Sequence, residues 1–188
     1  MNNRENLLKC ALELFAARGY DAVGVQEIAD SAGITKPTLY HYFGSKGGLL
    51  SALLAEGFAP FFQTLESAAH YRGDVTNALR AVAGTYFDFA QQNPALYRFA
   101  LSLGFAPLQS EAGQAARALH ARQQQWLEDL FASAARDHGN MQGRQRTYAA
   151  SFLGIINTYT VLSQNGHAEL DQNWVYTVVH QFMHGIFS

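Results

Sequence analysis

Apolar residues return at steps of three and four along almost the whole chain, a periodicity that leaves little room for anything but packed α-helices. Leu7, Leu8, Ala11, Leu12 and Phe15 make a first stripe, which Gly19 ends. A short second helix is expected from about Val25 to Ser31, with Ile28 and Ala29 inward and a break at Ala32-Gly33. A third starts near Lys36, with Pro37 in the first turn, where a missing N–H costs nothing, and stops near Phe43-Gly44. Ser45 reads as the N-cap of a long fourth helix. Its stripe is Leu49, Leu50, Leu53, Leu54, Phe58, Phe61, Phe62 and Leu65, with a kink predicted at Pro60.

Asp74 caps a fifth helix, and Asn93-Pro94 opens a sixth. A loop over residues 105–110 precedes a seventh helix, from Glu111 to about His138. An eighth covers roughly 143–164 and a ninth roughly 171–187. No segment alternates with period two for long enough to be a strand, and there are only four prolines in 188 residues to interrupt helices. The expected fold is all-α, of about nine helices. Two domains are expected, a three-helix domain over residues 1–46 and a larger helical bundle over residues 47–188.

Hydrophobic residues make up 48% and charged residues 15% of the chain, which supports a packed core and excludes a disordered polymer. Cys10 is the sole cysteine, so no intrachain disulfide exists, and a buried inert thiol is favoured over a redox sensor. The start is polar, and no stretch reaches the roughly 18 unbroken apolar residues of a membrane span. A soluble cytoplasmic protein with no membrane partner is expected. The net charge of -2 does not advertise nucleic-acid binding. Within the first fifty residues five basic side chains meet five acidic ones, so any DNA affinity depends on where the charges sit.

A helix, a short turn and a second short helix with a polar outer face form a helix-turn-helix, and residues 25–43 fit it. Leu39 and Phe43, four apart, face inward. Thr35, Lys36, Thr38, Tyr40, His41 and Tyr42 are left outside. Lys36 suits phosphate or guanine. Hydroxyls of threonine and tyrosine donate to phosphate oxygens, as do backbone N–H groups at a helix start. Lys46 stands at the start of the next helix, where it can clamp the DNA backbone.

The string Gly19-Tyr20, Ile28-Ala29, Ala32-Gly33-Ile34-Thr35-Lys36-Pro37-Thr38-Leu39-Tyr40-His41-Tyr42-Phe43-Gly44-Ser45-Lys46 and Leu49-Leu50 closely resembles the DNA-binding signature of the tetracycline-repressor (TetR/AcrR) family. The resemblance covers about the first 50 residues. It implies an all-α homodimer of about nine helices with a divergent ligand-binding C-terminal domain. It aligns Lys36, Pro37, Thr38, Tyr40, His41, Tyr42 and Lys46 with positions that touch DNA. Two places depart from the pattern. Val23-Gly24 stands where a hydroxyl residue is usual, and Gly47-Gly48 follows Lys46 where an acidic residue is common. The two glycines suggest a soft hinge into the fourth helix.

The expected function is therefore a transcriptional regulator, a repressor that binds a palindromic operator as a homodimer and is released by a small, largely apolar or aromatic effector. Phe61, Phe62, Tyr86, Phe89, Trp126, Phe152, Asn157 and Tyr159 are the candidate effector wall, with plain core as the alternative for each aromatic. Leu153, Ile156, Thr160, Trp174, Val175, Val178, Val179 and Phe182 are the candidate dimer contacts, on stripes of the last two helices that continue to Ile186. His180 and His184 are four apart, but no third ligand lies near, so a surface or dimer-rim role is favoured over a metal site. No cofactor is expected. The competing reading is an all-α enzyme that kept a helix-turn-helix. It lacks any nucleophile-base pairing, metal cluster or phosphate loop.

Overall fold

The computed structural model describes residues 2–68 and 70–185, which hold nine α-helices and no strand. They are α1 (Asn3–Arg18), α2 (Val25–Ser31), α3 (Lys36–Phe43), α4 (Lys46–Ala68), α5 (Val75–Gln92), α6 (Pro94–Leu103), α7 (Glu111–Ala134), α8 (Gln145–Gln164) and α9 (Gln172–His184). Ile186 lies outside the described residues. The caps explain most boundaries. Asn2 and Glu5 form a reciprocal capping box at α1, while Asp74 and Asp171 accept from backbone N–H groups at the starts of α5 and α9. The Ser45 hydroxyl accepts from the Gly48 N–H at 2.9 Å, as its position before α4 predicts.

Helix α7 stops at Ala134, one turn before the expected His138. There the Arg136 and Asp137 N–H groups turn to carbonyls three residues back, tightening the last turn out of α-geometry. A single 3-10 turn, Gly139–Met141, then leads to α8.

The chain divides into two compact units. Unit 1 comprises residues 1–59 and 95–119, and unit 2 residues 60–94 and 120–188. On α4 the division falls between Ala59 and Pro60, the interior proline. In unit 1, Leu7, Ala11, Phe15, Ile28, Leu39, Leu49 and Leu50 are buried. Phe99 of α6 stacks on Phe15 with ring centroids 5.6 Å apart. Gly57 of α4 lets α6 approach, since a Cβ there would lie 2.6 Å from Leu96 Cδ2. In unit 2, α5 buries nine residues over about half of its circumference and packs against α8 and α9.

Helix α4 is long and apolar enough to cross a membrane by length and composition, with mean hydropathy 1.2 over its best window. Its apolar side chains are spent on the protein core instead: Leu49, Leu50, Leu53, Leu54, Phe58, Phe61, Phe62 and Leu65 are all buried. Its Glu56 is paired with Arg4.

Candidate nucleic-acid interface

The turn between α2 and α3 is built by the backbone. Gly33 adopts φ +67°, the left-handed region that side chains disfavour, and the Ile34 N–H returns to the Ala29 carbonyl at 3.0 Å. The Asn6 side chain on α1 donates to the Ala32 carbonyl at 3.0 Å and fixes the turn from outside. Thr35 then caps α3, accepting from the Thr38 N–H, and its hydroxyl meets that of Thr38 at 2.8 Å. Gly24, at the start of α2, offers no side-chain cap, as its residue type requires.

Of the two residues expected to face inward on α3, Leu39 is fully buried and Phe43 is half-buried under the Arg4 guanidinium, 5.2 Å from its ring centroid. The rest of the helix faces out. Thr35, Lys36, Pro37, Tyr40, His41 and Tyr42 are exposed, and Thr38 is half-buried. Tyr40 and Tyr42 leave 41% and 40% of their surfaces in water. The Lys36 ammonium stands 5.8 Å from the Tyr40 ring, and His41 meets Tyr42 edge-on. One short face thus offers a cation, an imidazole, phenol hydroxyls and a threonine hydroxyl, beside the N–H groups of a helix start.

The scaffold behind that face is cross-braced. Arg18 of α1 pairs with Glu27 of α2 and also donates to the Ala22 carbonyl. Arg4 grips Glu56 through two hydrogen bonds, and that grip holds the Glu56 carboxyl below the usual carboxylate range. Lys46 begins α4, the position expected of it, and has a partner within the chain. Its ammonium donates to the Tyr20 carbonyl at 2.6 Å and lies 4.1 Å from the Tyr20 ring centroid. Burial pushes its pKa down, and the nearby Asp21 and Glu111 push it back up.

The sequence family "Bacterial regulatory proteins, tetR family" matches residues 7–53, the span of this headpiece. FasR, an HTH-type transcriptional activator of Mycolicibacterium smegmatis, is 32% identical over 152 residues, 81% of this chain and 68% of FasR. The chain belongs to the tetR family. It is a helix-turn-helix, DNA-binding transcriptional regulator. BdcR, a repressor of Escherichia coli, is 48% identical over 52 residues, 28% of this chain and 26% of its own length. In fold, the TetR-family chain is similar to FadR of Bacillus subtilis, solved in complex with stearoyl-CoA. The TM-score is 0.82 at 20% identity, covering 97% of this chain and 98% of that one.

The residues expected to line an effector pocket are distributed over unit 2. Phe61, Phe62, Tyr86, Phe89 and Phe152 are buried. Phe61 packs on Tyr86, Phe62 and Phe89 with centroids 4.6, 5.1 and 5.1 Å away. The Arg122 guanidinium covers the Phe62 ring at 3.7 Å. Phe152 packs on Phe182, and Tyr159 on Trp174, with the Tyr159 hydroxyl donating to Gln181, so both look toward α9. Asn157 is half-buried. Trp126 borders an open cleft of about 280 Å³ between α4 and α7, with Glu66, His70, Asp129 and Ser133.

The stripes expected to meet a second copy are largely used inside the chain. Ile156, Thr160, Val175, Val178 and Val179 are buried, because α9 packs its apolar side on α5 and α8. Leu153, Trp174 and Phe182 are half-buried, and Phe182 turns inward to Phe131, Tyr148 and Phe152. The apolar surface left outside on these helices is Val161, Leu162, Tyr176 and Met183. His180 and His184 are exposed, with rings 4.6 Å apart, and no cluster of three metal-ligating side chains occurs among the described residues.

Proposed function

We propose that the chain is a repressor that binds a palindromic operator as a homodimer and leaves it when a small, largely apolar or aromatic effector binds. The observation that carries the DNA half of this reading is the outward face of α3, where Lys36, Tyr40, His41 and Tyr42 are exposed on a buried, cross-braced support. Residues 1–46 read the DNA, with Thr35, Lys36, Pro37, Thr38, Tyr40, His41, Tyr42 and Lys46 as contacts. Residues 47–188 carry dimerisation and the effector site.

The dimer uses α8 and α9 through their outer apolar residues, because the inner stripes are already covered. A two-fold axis there matches a two-fold operator. The effector parts the rings of Phe61, Phe62, Tyr86 and Phe89, and Trp126 on α7 reports on it. Arg122, poised over Phe62, would meet an anionic head on an apolar chain. Stearoyl-CoA, the ligand in the B. subtilis FadR structure, is the first compound to try. An activator is the second reading, favoured by the long match to FasR, which is named as one.

The experiment is affinity for operator DNA, taken from a random pool, in the wild type and in Tyr42→Phe combined with Lys46→Ala. A fall of at least tenfold at moderate salt is expected, and unchanged affinity overturns the contact map. For the effector half, Trp126 fluorescence and DNA release should respond to stearoyl-CoA with one midpoint. Release that persists unaltered in Phe62→Ala and Trp126→Phe places the effector elsewhere.

A further inference from the structure

Four residues from three separate stretches of the chain converge inside unit 1. Tyr20 follows α1, Lys46 and Gly47 begin α4, and Glu111 begins α7. The Tyr20 side chain is only 6% exposed, and its hydroxyl donates to Glu111 Oε2 at 2.5 Å across 91 positions of sequence. Gly47 leaves the space for this contact, since a Cβ there would lie 2.6 Å from Glu111 Oε1. Lys46 closes the arrangement from the other side, bonded to the Tyr20 carbonyl and stacked over its ring. Burial, and then the bond to Glu111, push the Tyr20 pKa well above the phenol range, so the hydroxyl remains the donor at any ordinary pH.

Two consequences follow from the chain path. Glu111 is the first residue of a continuous helix that runs on to Ala134 and carries Trp126. Lys46 comes three residues after the last residue of α3, and the intervening corner is tight: the Ser45 N–H returns to the Phe43 carbonyl at 2.8 Å. The Tyr20–Glu111 bond therefore ties the start of α7 to the exit of α1, and Lys46 joins the entry to α4 to the same point, so the contact brackets the helix-turn-helix on both sides.

We propose that Tyr20 and Glu111 form a positioning latch that fixes the orientation of the recognition helix relative to α7, and so sets how strictly a dimer demands one spacing between operator half-sites. This rests on the reading of the chain as an operator-binding dimer. Neither residue touches DNA in that reading. A dimer with rigidly held headpieces fits half-sites about one DNA turn apart and pays heavily when they shift. A dimer with loose headpieces tolerates the shift at some cost in affinity for the best site, because ordering is then paid on binding.

The test uses operator DNA selected by the wild-type protein from a random pool. Half-sites are moved together or apart by two base pairs, and a duplex with one half-site serves as control. The wild type should lose about a hundredfold on shifted sites, and Tyr20→Phe and Glu111→Ala about tenfold or less. The double variant should match either single one, since both break the same bond. Single half-site affinity should stay within about twofold, which separates a latch from general damage to the headpiece. Spacing profiles that superimpose on the wild type overturn the latch. A wild type that selects no two-fold site fails the dimer reading itself, a different outcome.

Discussion

A Cβ added to Gly48 would lie 2.0 Å from the carbonyl oxygen of Phe43, the last residue of α3. The contact is with backbone, so no flexible side chain can yield. Gly48→Ala should force apart the corner that joins the recognition helix to α4, costing about 3 kcal/mol as an overpacked site and lowering Tm by roughly 6–12 °C. Gly154→Ala, on α8 with nothing near its added Cβ, should leave Tm unchanged or raise it slightly. Thermal melts of the two variants side by side check this, and equal melting points contradict it.

Lys46 has an internal partner, so its removal should show in two measurements. Lys46→Ala should lower Tm modestly, through loss of the Tyr20 contacts. It should also weaken binding to all DNA sequences and flatten the salt slope by about one unit. Lys36→Ala and Thr38→Ala should change which bases are preferred. Binding to a set of related operators at three salt concentrations separates the two patterns.

The two sides of α9 should respond oppositely to charge. Tyr176→Glu, at a position 53% exposed, should leave a folded monomer in sedimentation at micromolar concentration. Val179→Glu buries a charge at a position 1% exposed and should unfold unit 2. A Tyr176→Glu protein that sediments as a dimer would show that α9 is not the interface.

Alkaline titration should expose Tyr20. Its folded-state pKa is raised, first by burial and then by the bond to Glu111. The folded state therefore holds the proton longer than the unfolded chain. The stabilisation is fully present below about pH 10, the ordinary phenol value, and is lost as pH rises through the folded-state value. Burial depresses Lys46, which acts in the opposite sense and mainly below about pH 10.5, its ordinary value. The difference between wild type and Tyr20→Phe isolates the phenol. Urea midpoints for the two proteins should keep a constant gap from pH 8 to about pH 10 and begin to draw together between about pH 10 and 11, and a gap that stays constant to about pH 11 contradicts this.

Local signals made the helices and the headpiece legible. Ser45, Asp74 and Pro37 mark helix starts by capping chemistry that acts within three residues, and the stripe through Leu39 fixed which face of α3 turns outward. Long-range partners left no such mark. Nothing near Glu111 points to Tyr20, and only the pair Gly47-Gly48 hinted that something approaches the start of α4. That pair suggests a soft hinge when read by helix propensity, but both glycines sit at close approaches, to Glu111 and to the Phe43 backbone. The stripes of α8 and α9 left their partner open for a related reason. Periodicity shows that a face is buried, and cannot say whether α5 or a second copy covers it.

The most direct measurement is selection of DNA from a random pool by the wild-type protein, followed by footprinting of the winning sequence. A two-fold palindrome with half-sites about 34 Å apart is expected, bound by one dimer with an affinity that falls steeply with salt. Failure to enrich any sequence, or enrichment of a single asymmetric half-site bound by a monomer, would contradict it.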